Sequence, residues 1–194
     1  MFYRLIRMVV RFIMLCLGLK AEGMENIPST GSFIIAANHV SNWDPVVVGV
    51  VMQRPVYFMA KESLFKYRLM GLICRGLHAF PVRRGVPDRN AIRHALGVLE
   101  QGKVLGLFPQ GVRDKTGAMK AQSGVALIAL KSGAPIVPTA CIGTNHTVPC
   151  GWFKPLLVRF GQPIYLDQYK GQRVRSADME QISADIMCKI SDLM

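Results

Sequence analysis

The sequence predicts an α/β domain with a mixed, largely parallel sheet flanked by helices. Short apolar runs typical of buried strands alternate with longer amphipathic stretches typical of helices. This alternation indicates strands that are joined by helical crossovers. No internal repeat, low-complexity tract or long charge run interrupts the pattern, and 194 residues suffice for one domain with a full hydrophobic core.

Helix caps and the spacing of apolar residues assign the elements in chain order. Asp44 suits an N-cap and Pro45 suits a first helical position, whereas Gly102 ends the amphipathic stretch that begins at Asp88. The predicted strands are 33–37, 56–60, 78–82, 104–108, 136–142 and, at an edge of the sheet, 156–160. The predicted helices are 44–52, 61–72 (broken), 88–101, 125–131 and 177–193.

Residues 1–19 are predicted to be a helix at a membrane interface, followed by one folded domain at residues 20–194. Between residues 2 and 19, only Arg4, Arg7 and Arg11 interrupt the apolar character. At about 100° per residue they fall within an arc of about 60°, so they form a cationic stripe on an apolar cylinder. Such arginines suit lipid phosphates, and the residues expected in the membrane are Phe2, Ile6, Val9, Phe12, Ile13 and Leu17.

Three other interpretations of this segment stay open. A signal peptide would need a cleavage site of small residues after Leu19, and the sequence has none there. A spanning helix would need about 20 apolar residues, and Arg11 near its middle would cost about 2.5–3.5 kcal/mol. A helix packed on the core would normally carry more polar positions.

Net charge limits the classes of binding partner that the sequence favours, and cysteine content indicates the redox compartment. The 24 Lys and Arg exceed the 12 Asp and Glu, and the net charge of +12 favours an anionic lipid surface, a phosphorylated substrate or nucleic acid. Nucleic acid is not favoured, because the sequence has no helix-turn-helix, zinc or RNP-like pattern. Five scattered cysteines without a C-x-x-C pair indicate reduced thiols in a cytosolic setting.

The segment Asn38-His39-Val40-Ser41-Asn42-Trp43-Asp44 carries the strongest chemical signal. A neutral histidine can take a proton from an alcohol while that alcohol attacks a thioester carbonyl. A nearby carboxylate would fix the tautomer and stabilise the imidazolium, and no serine or cysteine nucleophile is needed. The spacing alone is common by chance, since Asp44 could simply cap its helix and His39 could be an ordinary loop residue.

A second strand end strengthens the interpretation. His39 follows one predicted strand, and residues 109–113 follow another. Sites in parallel sheets gather where strands end and loops begin. We therefore expect these two segments to face one crevice.

Four blocks in order resemble the motifs of the PlsC-type 1-acylglycerol-3-phosphate acyltransferases, and the likeness covers roughly residues 20–165. The pattern Asn38-His39-x-Ser41-x-x-Asp44 resembles the first motif. Residues 80–84 (Phe-Pro-Val-Arg-Arg) resemble the second, and residues 108–113 (Phe-Pro-Gln-Gly-Val-Arg) resemble the third, which is usually Phe-Pro-Glu-Gly-Thr-Arg. Residues 136–140 resemble the fourth, built around Val-Pro, and residues 61–65 resemble a segment between the first two.

The resemblance implies the glycerolipid acyltransferase fold, with His39 as general base and Asp44 as the residue that orients it. Arg83 and Arg113 would bind the phosphate of the acceptor, with Lys61 as a less specific helper. Guanidinium groups suit this role, because their N–H forks match phosphate oxygens in bidentate fashion.

The other motif positions have expected roles around this site. Ser41 belongs to the first motif beside His39, and Gly111 leaves the backbone open to a ligand. Pro138, in the fourth motif, is expected to shape an acyl-binding wall. Gln110 stands where the family usually has Glu, so it cannot pair by charge with Arg113, and the acceptor site should be more electropositive than usual.

The implied reaction moves a fatty acyl group from acyl carrier protein or acyl-coenzyme A to the sn-2 hydroxyl of 1-acylglycerol-3-phosphate, giving phosphatidic acid in phospholipid biosynthesis. The expected partners are the phospholipid bilayer, the thioester donor and lysophosphatidic acid, with no nucleic acid, metal or bound cofactor. The expected location is the cytoplasmic face of the cell membrane, in peripheral or monotopic form. Because of Gln110, two alternatives stay open: another lysolipid or an aminoacyl lipid as acceptor, and a weakly active lipid-binding homologue.

Overall fold

A computed structural model describes residues 2–83, 85–86, 88–110, 123–146, 156–172 and 174–194. Its strands are β1 (Leu19–Glu22), β2 (Phe33–Ala37), β3 (Val56–Lys61), β4 (Phe80–Val82), β5 (Val104–Leu107), β6 (Ile136–Ile142) and β7 (Leu156–Phe160). Its α-helices are α1 (Phe2–Cys16), α2 (Asp44–Val51), α3 (Arg68–Gly76), α4 (Arg89–Glu100), α5 (Gly124–Ser132) and α6 (Ser176–Ser191).

The strands form one sheet in the order β1-β7-β6-β2-β5-β3-β4. Within the described ranges, neighbouring strands run parallel apart from the antiparallel pair β6 and β7. The prediction of a mixed, largely parallel sheet flanked by helices is therefore confirmed.

The prediction that residues 156–160 form an edge strand is wrong. β7 lies between β6 and β1, and β1 occupies the edge instead. β1 has four residues, Leu-Lys-Ala-Glu, of which only Leu19 is buried. Without an apolar run it gives no strand signal in the sequence.

The prediction that Asp44 caps α2 is also wrong. Asp44 is the first residue of the helix, Trp43 occupies the cap position, and no side chain caps this end. Asp88, in contrast, caps α4, because its carboxylate accepts from the backbone N–H groups of Asn90 and Ala91, both at 3.1 Å.

Each face of the sheet has its own apolar cluster. Phe33 and Ile35 of β2 point to the face covered by α1 and α2, whereas Ile34 and Ala36 point to the face covered by α4, α5 and α6. This alternation is the period-two pattern of a strand that is buried on both sides.

One side of α1 packs on the core, and the other side is exposed. Met14 is buried, Val10 packs partly beside it, and Arg7 donates to the carbonyl oxygen of Gln53 at 3.1 Å. Leu17, which the sequence places in the membrane, instead packs against this cluster. Among residues 6–16 of α1, the exposed large apolar side chains are Met8, Val9, Phe12, Ile13 and Leu15.

The structure bears on the predicted membrane anchor at residues 1–19 in two respects. In the described part of the chain, no helix combines the length and apolar character that crossing a membrane requires. α1 ends at Cys16, and Leu19 already belongs to β1, so the segment 1–19 shares its last residue with the sheet.

Candidate active site

His39 and Asp44 form a buried hydrogen-bonded pair at the carboxyl end of β2. Nδ1 of His39 lies 2.9 Å from Oδ2 of Asp44. The chain turns after Ala37 and enters α2 at Asp44, which brings the carboxylate back to the ring across the loop. A carboxylate only accepts, so in the neutral ring Nδ1 carries the proton and Nε2 keeps its lone pair. The carboxylate thus points back at the ring, and the orienting role of Asp44 in catalysis stays a prediction.

The Asp44 carboxylate is fully buried and accepts hydrogen bonds at both oxygens. Oδ2 accepts from the backbone N–H groups of Val40 and Ser41, both at 2.8 Å, in addition to His39. Oδ1 accepts from the hydroxyl of Thr144 at 2.5 Å. These four donors hold the carboxylate in one orientation, and none of them is a lysine or arginine. Thr144 was missed in the sequence, because it follows β6 and carries no local signal.

Ser41 supports the turn between the two residues. Its backbone N–H bonds Asp44, and its hydroxyl oxygen accepts from the backbone N–H of Trp43 at 3.2 Å. Ser41 therefore acts on the shape of the loop that carries His39.

Aromatic rings cover one side of the His39 imidazole. The Phe108 ring stacks on it with centroids 4.2 Å apart and an interplanar angle of 25°. Phe58 stacks in turn on Phe108 at 5.8 Å. His39 itself is 6% exposed, so these rings and the Asp44 bond leave the imidazole little rotational freedom.

Gln110 joins the end of β5 to the loop that carries His39. Its Oε1 accepts from the backbone N–H of His39 at 2.7 Å, and the residue is buried. The two strand ends expected to share a crevice are thus in direct contact. A glutamate at this position could accept the same bond, so the change to Gln removes a charge and keeps the acceptor.

Asn38 fixes the end of β2 to β6. Its amide donates to the carbonyl oxygen of Cys141 at 3.0 Å and accepts from the Cys141 N–H at 2.6 Å. Burial raises the pKa of the Cys141 thiol well above its usual value, and the nearby Asp44 carboxylate adds to this effect. A thiol in that environment stays protonated and is no nucleophile.

The basic residues expected at the phosphate site lie on neighbouring strand ends. β2, β5, β3 and β4 are consecutive and parallel, so His39, Gln110, Lys61 and Arg83 follow one edge of the sheet. Strands lie about 4.8 Å apart, which puts the ends of β3 and β4 about 10 Å and 14 Å from that of β2. Both Lys61 and Arg83 are exposed.

Asp88 holds the backbone that carries Arg83. Its Oδ2 accepts from the Arg83 N–H at 2.9 Å, while the Arg83 Nε lies 3.8 Å away. The backbone hydrogen bond from Arg83 lowers the pKa of Asp88, and the one from Ala91 acts in the same direction. The Arg83 side chain is 59% exposed, so it remains available to a ligand.

Of the three remaining predicted site residues, the structure describes Pro138. Pro138 lies on β6 opposite Ala36, and a Cβ at Gly161 would meet its ring at 3.0 Å. The alternation along β6 directs that ring to the face opposite the His39 ring, so the structure does not bring it to the site. Gly111 and Arg113 lie outside the described residues. Elsewhere in the described chain, no group of His, Cys, Asp and Glu could hold a metal ion.

Comparisons with known proteins give a consistent result. A 1-acyl-sn-glycerol-3-phosphate acyltransferase of Bacillus subtilis is 34% identical over 130 residues, which are 66% of this chain and 64% of that protein. The corresponding enzyme of Borreliella burgdorferi is 28% identical over 84% of this chain and 65% of its own length. The chain therefore spans a little under two thirds of these curated relatives.

A solved structure and a family model agree with these relatives. The crystal structure of the 1-acyl-sn-glycerophosphate acyltransferase PlsC from Thermotoga maritima superposes with a TM-score of 0.70 at 27% identity, covering 98% of this chain and 80% of that one. The model of the family described as Acyltransferase matches residues 18–142, which include the His39 loop, Arg83 and Gln110. The chain belongs to the acyltransferase family.

Proposed function

We propose that the protein transfers a fatty acyl group from an acyl carrier protein or coenzyme A thioester to the sn-2 hydroxyl of 1-acylglycerol-3-phosphate, giving phosphatidic acid. The observation that carries this proposal is the His39–Asp44 pair. It leaves Nε2 as a lone-pair acceptor on a ring that is fixed by Asp44 and Phe108. The relatives named for this reaction support the choice of substrates.

The pair suits a direct transfer. Nε2 of His39 removes the hydroxyl proton as the oxygen attacks the thioester carbon. The tetrahedral intermediate collapses, the C–S bond breaks, and the imidazolium returns its proton to the departing thiolate. Asp44 would stabilise the imidazolium between these steps.

The acceptor phosphate is assigned to the basic strand ends. Arg83 follows β4 on a loop that is held by Asp88, and Lys61 ends β3. Both lie on the edge that carries His39, so one ligand can reach the base and a guanidinium together. Arg113 keeps the same proposed role on sequence grounds, as does Gly111 beside the ligand.

Membrane association is proposed to be peripheral, at the cytoplasmic face of the cell membrane. Its support is the outward side of α1, where Phe12 is 70% exposed and Met8 63% exposed. A globular protein seldom leaves such a patch uncovered. The bilayer would also present the lysophosphatidic acid.

The test is acyl transfer by the purified full chain, with labelled acyl donor and lysophosphatidic acid in vesicles. His39→Ala should lower turnover by about a thousandfold or more, whereas Tyr165→Ala, at an exposed residue after β7, should keep it. Equal product from the wild type and His39→Ala would overturn the proposal. A panel of other lysolipids and aminoacyl lipids under the same conditions identifies the acceptor.

A further inference from the structure

Exposed large apolar side chains are concentrated on two parts of the described chain. One is the outward side of α1. The other is the α3 surface, defined here as residues 62–76, which comprise the 3₁₀ turn Glu62–Lys66, Tyr67 and α3. Its exposed apolar residues are Leu64, Tyr67, Leu69, Met70, Leu72 and Ile73. Outside these parts, the exposed large apolar side chains of the described residues are Val86, Tyr165 and Met194.

α3 is attached to the domain by little more than its neighbouring turn. Its only buried residue is Gly71, whose position would put a Cβ 3.0 Å from the carbonyl oxygen of Phe65. Leu69 is 72% exposed and Leu72 is 64% exposed. The apolar side chains of α3 therefore lie on the outside of the molecule, although α3 is strongly amphipathic.

Topology places α3 on the same face of the sheet as α1. The steps from β2 to β3 and from β3 to β4 run in one direction across the sheet. Right-handed crossovers therefore put α2 and α3 on one face, and α1 packs with α2 in the cluster on that face. The two exposed apolar parts belong to one side of the protein.

The α3 surface is also cationic. Between Glu62 and Asp88 the sequence has no acidic residue. The basic residues in that interval are Lys66, Arg68, Arg75, Arg83 and Arg84. Apolar side chains flanked by Lys and Arg complement a bilayer that contains anionic phospholipid, where the chains enter the interface and the cations meet the phosphates.

We propose that the α3 surface docks on an anionic phospholipid bilayer as a second membrane contact beside α1. The turn Glu62–Lys66 starts at the carboxyl end of β3, so docking here turns the edge with Lys61 and Arg83 toward the lipid. A lysolipid could then present its headgroup to that edge while its acyl chain stays in the membrane. This inference goes beyond the proposed reaction, because it depends on exposure, charge and topology and not on catalysis.

The test measures co-sedimentation of the full chain, without substrates, with vesicles of pure phosphatidylcholine and of an equimolar mixture with phosphatidylglycerol. Leu69→Ser/Leu72→Ser removes apolar contact from two exposed positions. Lys66→Gln/Arg68→Gln removes charge alone. Tyr165→Ser, at an exposed aromatic residue outside both surfaces, is the matched control.

The leucine variant should partition at least about tenfold more weakly to the mixed vesicles, and Tyr165→Ser should match the wild type. The charge variant should lose most of the preference for mixed over pure phosphatidylcholine vesicles. Turnover of a water-soluble short-chain lysophosphatidate should stay at the wild-type level in all of them. Wild-type turnover in a variant that no longer binds the vesicles would distinguish the docking proposal from the proposed reaction.

Two results would overturn the proposal. One is unchanged partition of the leucine variant. The other is a wild-type dimer in sedimentation velocity that the leucine variant converts to monomer, because the surface would then join two copies of the chain.

Discussion

Thr144 donates a hydrogen bond to Oδ1 of Asp44 at 2.5 Å across 100 positions of the sequence. Both residues are buried, and the bond connects the turn after β6 with the first residue of α2. It occupies the carboxylate oxygen that does not contact His39. Thr144 is thus placed to position the pair without touching a substrate.

Thr144→Val should lower kcat by about tenfold and the free energy of unfolding by about 1–3 kcal/mol, since a buried carboxylate oxygen loses its donor. Thr144→Ser keeps the hydroxyl and should restore most of kcat. Steady-state kinetics and denaturant unfolding measure both effects. If Ser and Val give the same kcat, the hydroxyl has no positioning role.

Asp44→Asn should lower kcat by about a thousandfold or more, because a neutral amide cannot stabilise the imidazolium of His39. The substitution should leave the helix start unaffected, since the side chain does not cap α2. The substitution should still lower the free energy of unfolding, because the Asp44 carboxylate accepts hydrogen bonds from the backbone N–H groups of Val40 and Ser41. Full activity in a folded variant, judged by circular dichroism and turnover, would contradict the role of Asp44.

Gln110→Glu should retain or raise activity towards lysophosphatidic acid. A carboxylate oxygen can still accept from the His39 N–H, and the added charge lies next to the base. Gln110→Leu has a similar shape but no acceptor, so it leaves that buried N–H unpaired and should lower turnover by about tenfold or more. A sharp loss of turnover in Gln110→Glu would count against this account.

Asp88 should give the protein an acid-dependent component of stability. The folded state lowers the pKa of Asp88 from the usual 3.8. Its contribution to the free energy of unfolding is therefore complete above pH 3.8 and is lost as the pH falls through the lower pKa of the folded state. Asp88→Asn should therefore lower the melting temperature at neutral pH. In acid, the melting temperatures of the wild type and the variant should converge. Thermal unfolding as a function of pH measures this, and a constant difference down to about pH 2 would contradict it.

The membrane role of α1 is best tested by point substitutions, because a truncation would also remove buried Met14 from the core. Phe12→Ser/Ile13→Ser changes two exposed residues and should weaken vesicle binding without changing the melting temperature. Met14→Ser should instead cost about 2–5 kcal/mol of stability. Unchanged vesicle binding by the Phe12/Ile13 variant would reject the anchor.

Local patterns predicted the parts of the molecule that depend on neighbouring residues. β2 and β6 have the bounds expected from their apolar runs, because strands buried on both faces are continuously hydrophobic. The His39–Asp44 contact was also foreseeable, since it closes a turn within six residues. The motif blocks then indicated which strand ends would meet.

Long-range contacts were not foreseeable in the same way. The bonds from Asn38 to Cys141 and from Thr144 to Asp44 join residues about a hundred positions apart, and neither Cys141 nor Thr144 carries a local signature. β1 was missed because its pairing with β7, and not its hydrophobicity, makes it a strand. Asp44 was misassigned as a cap because the same residue type suits both roles.

The order of the strand ends sets the spacing between His39 and the basic residues of the proposed acceptor site. His39 follows β2, Lys61 ends β3 and Arg83 follows β4, so the backbone at Lys61 and at Arg83 lies two and three strand widths from the end of β2. Each width is about 4.8 Å. Moving a basic residue from one strand end to the next would therefore change the selected distance between hydroxyl and phosphate in steps, and fine adjustment would be left to side-chain length.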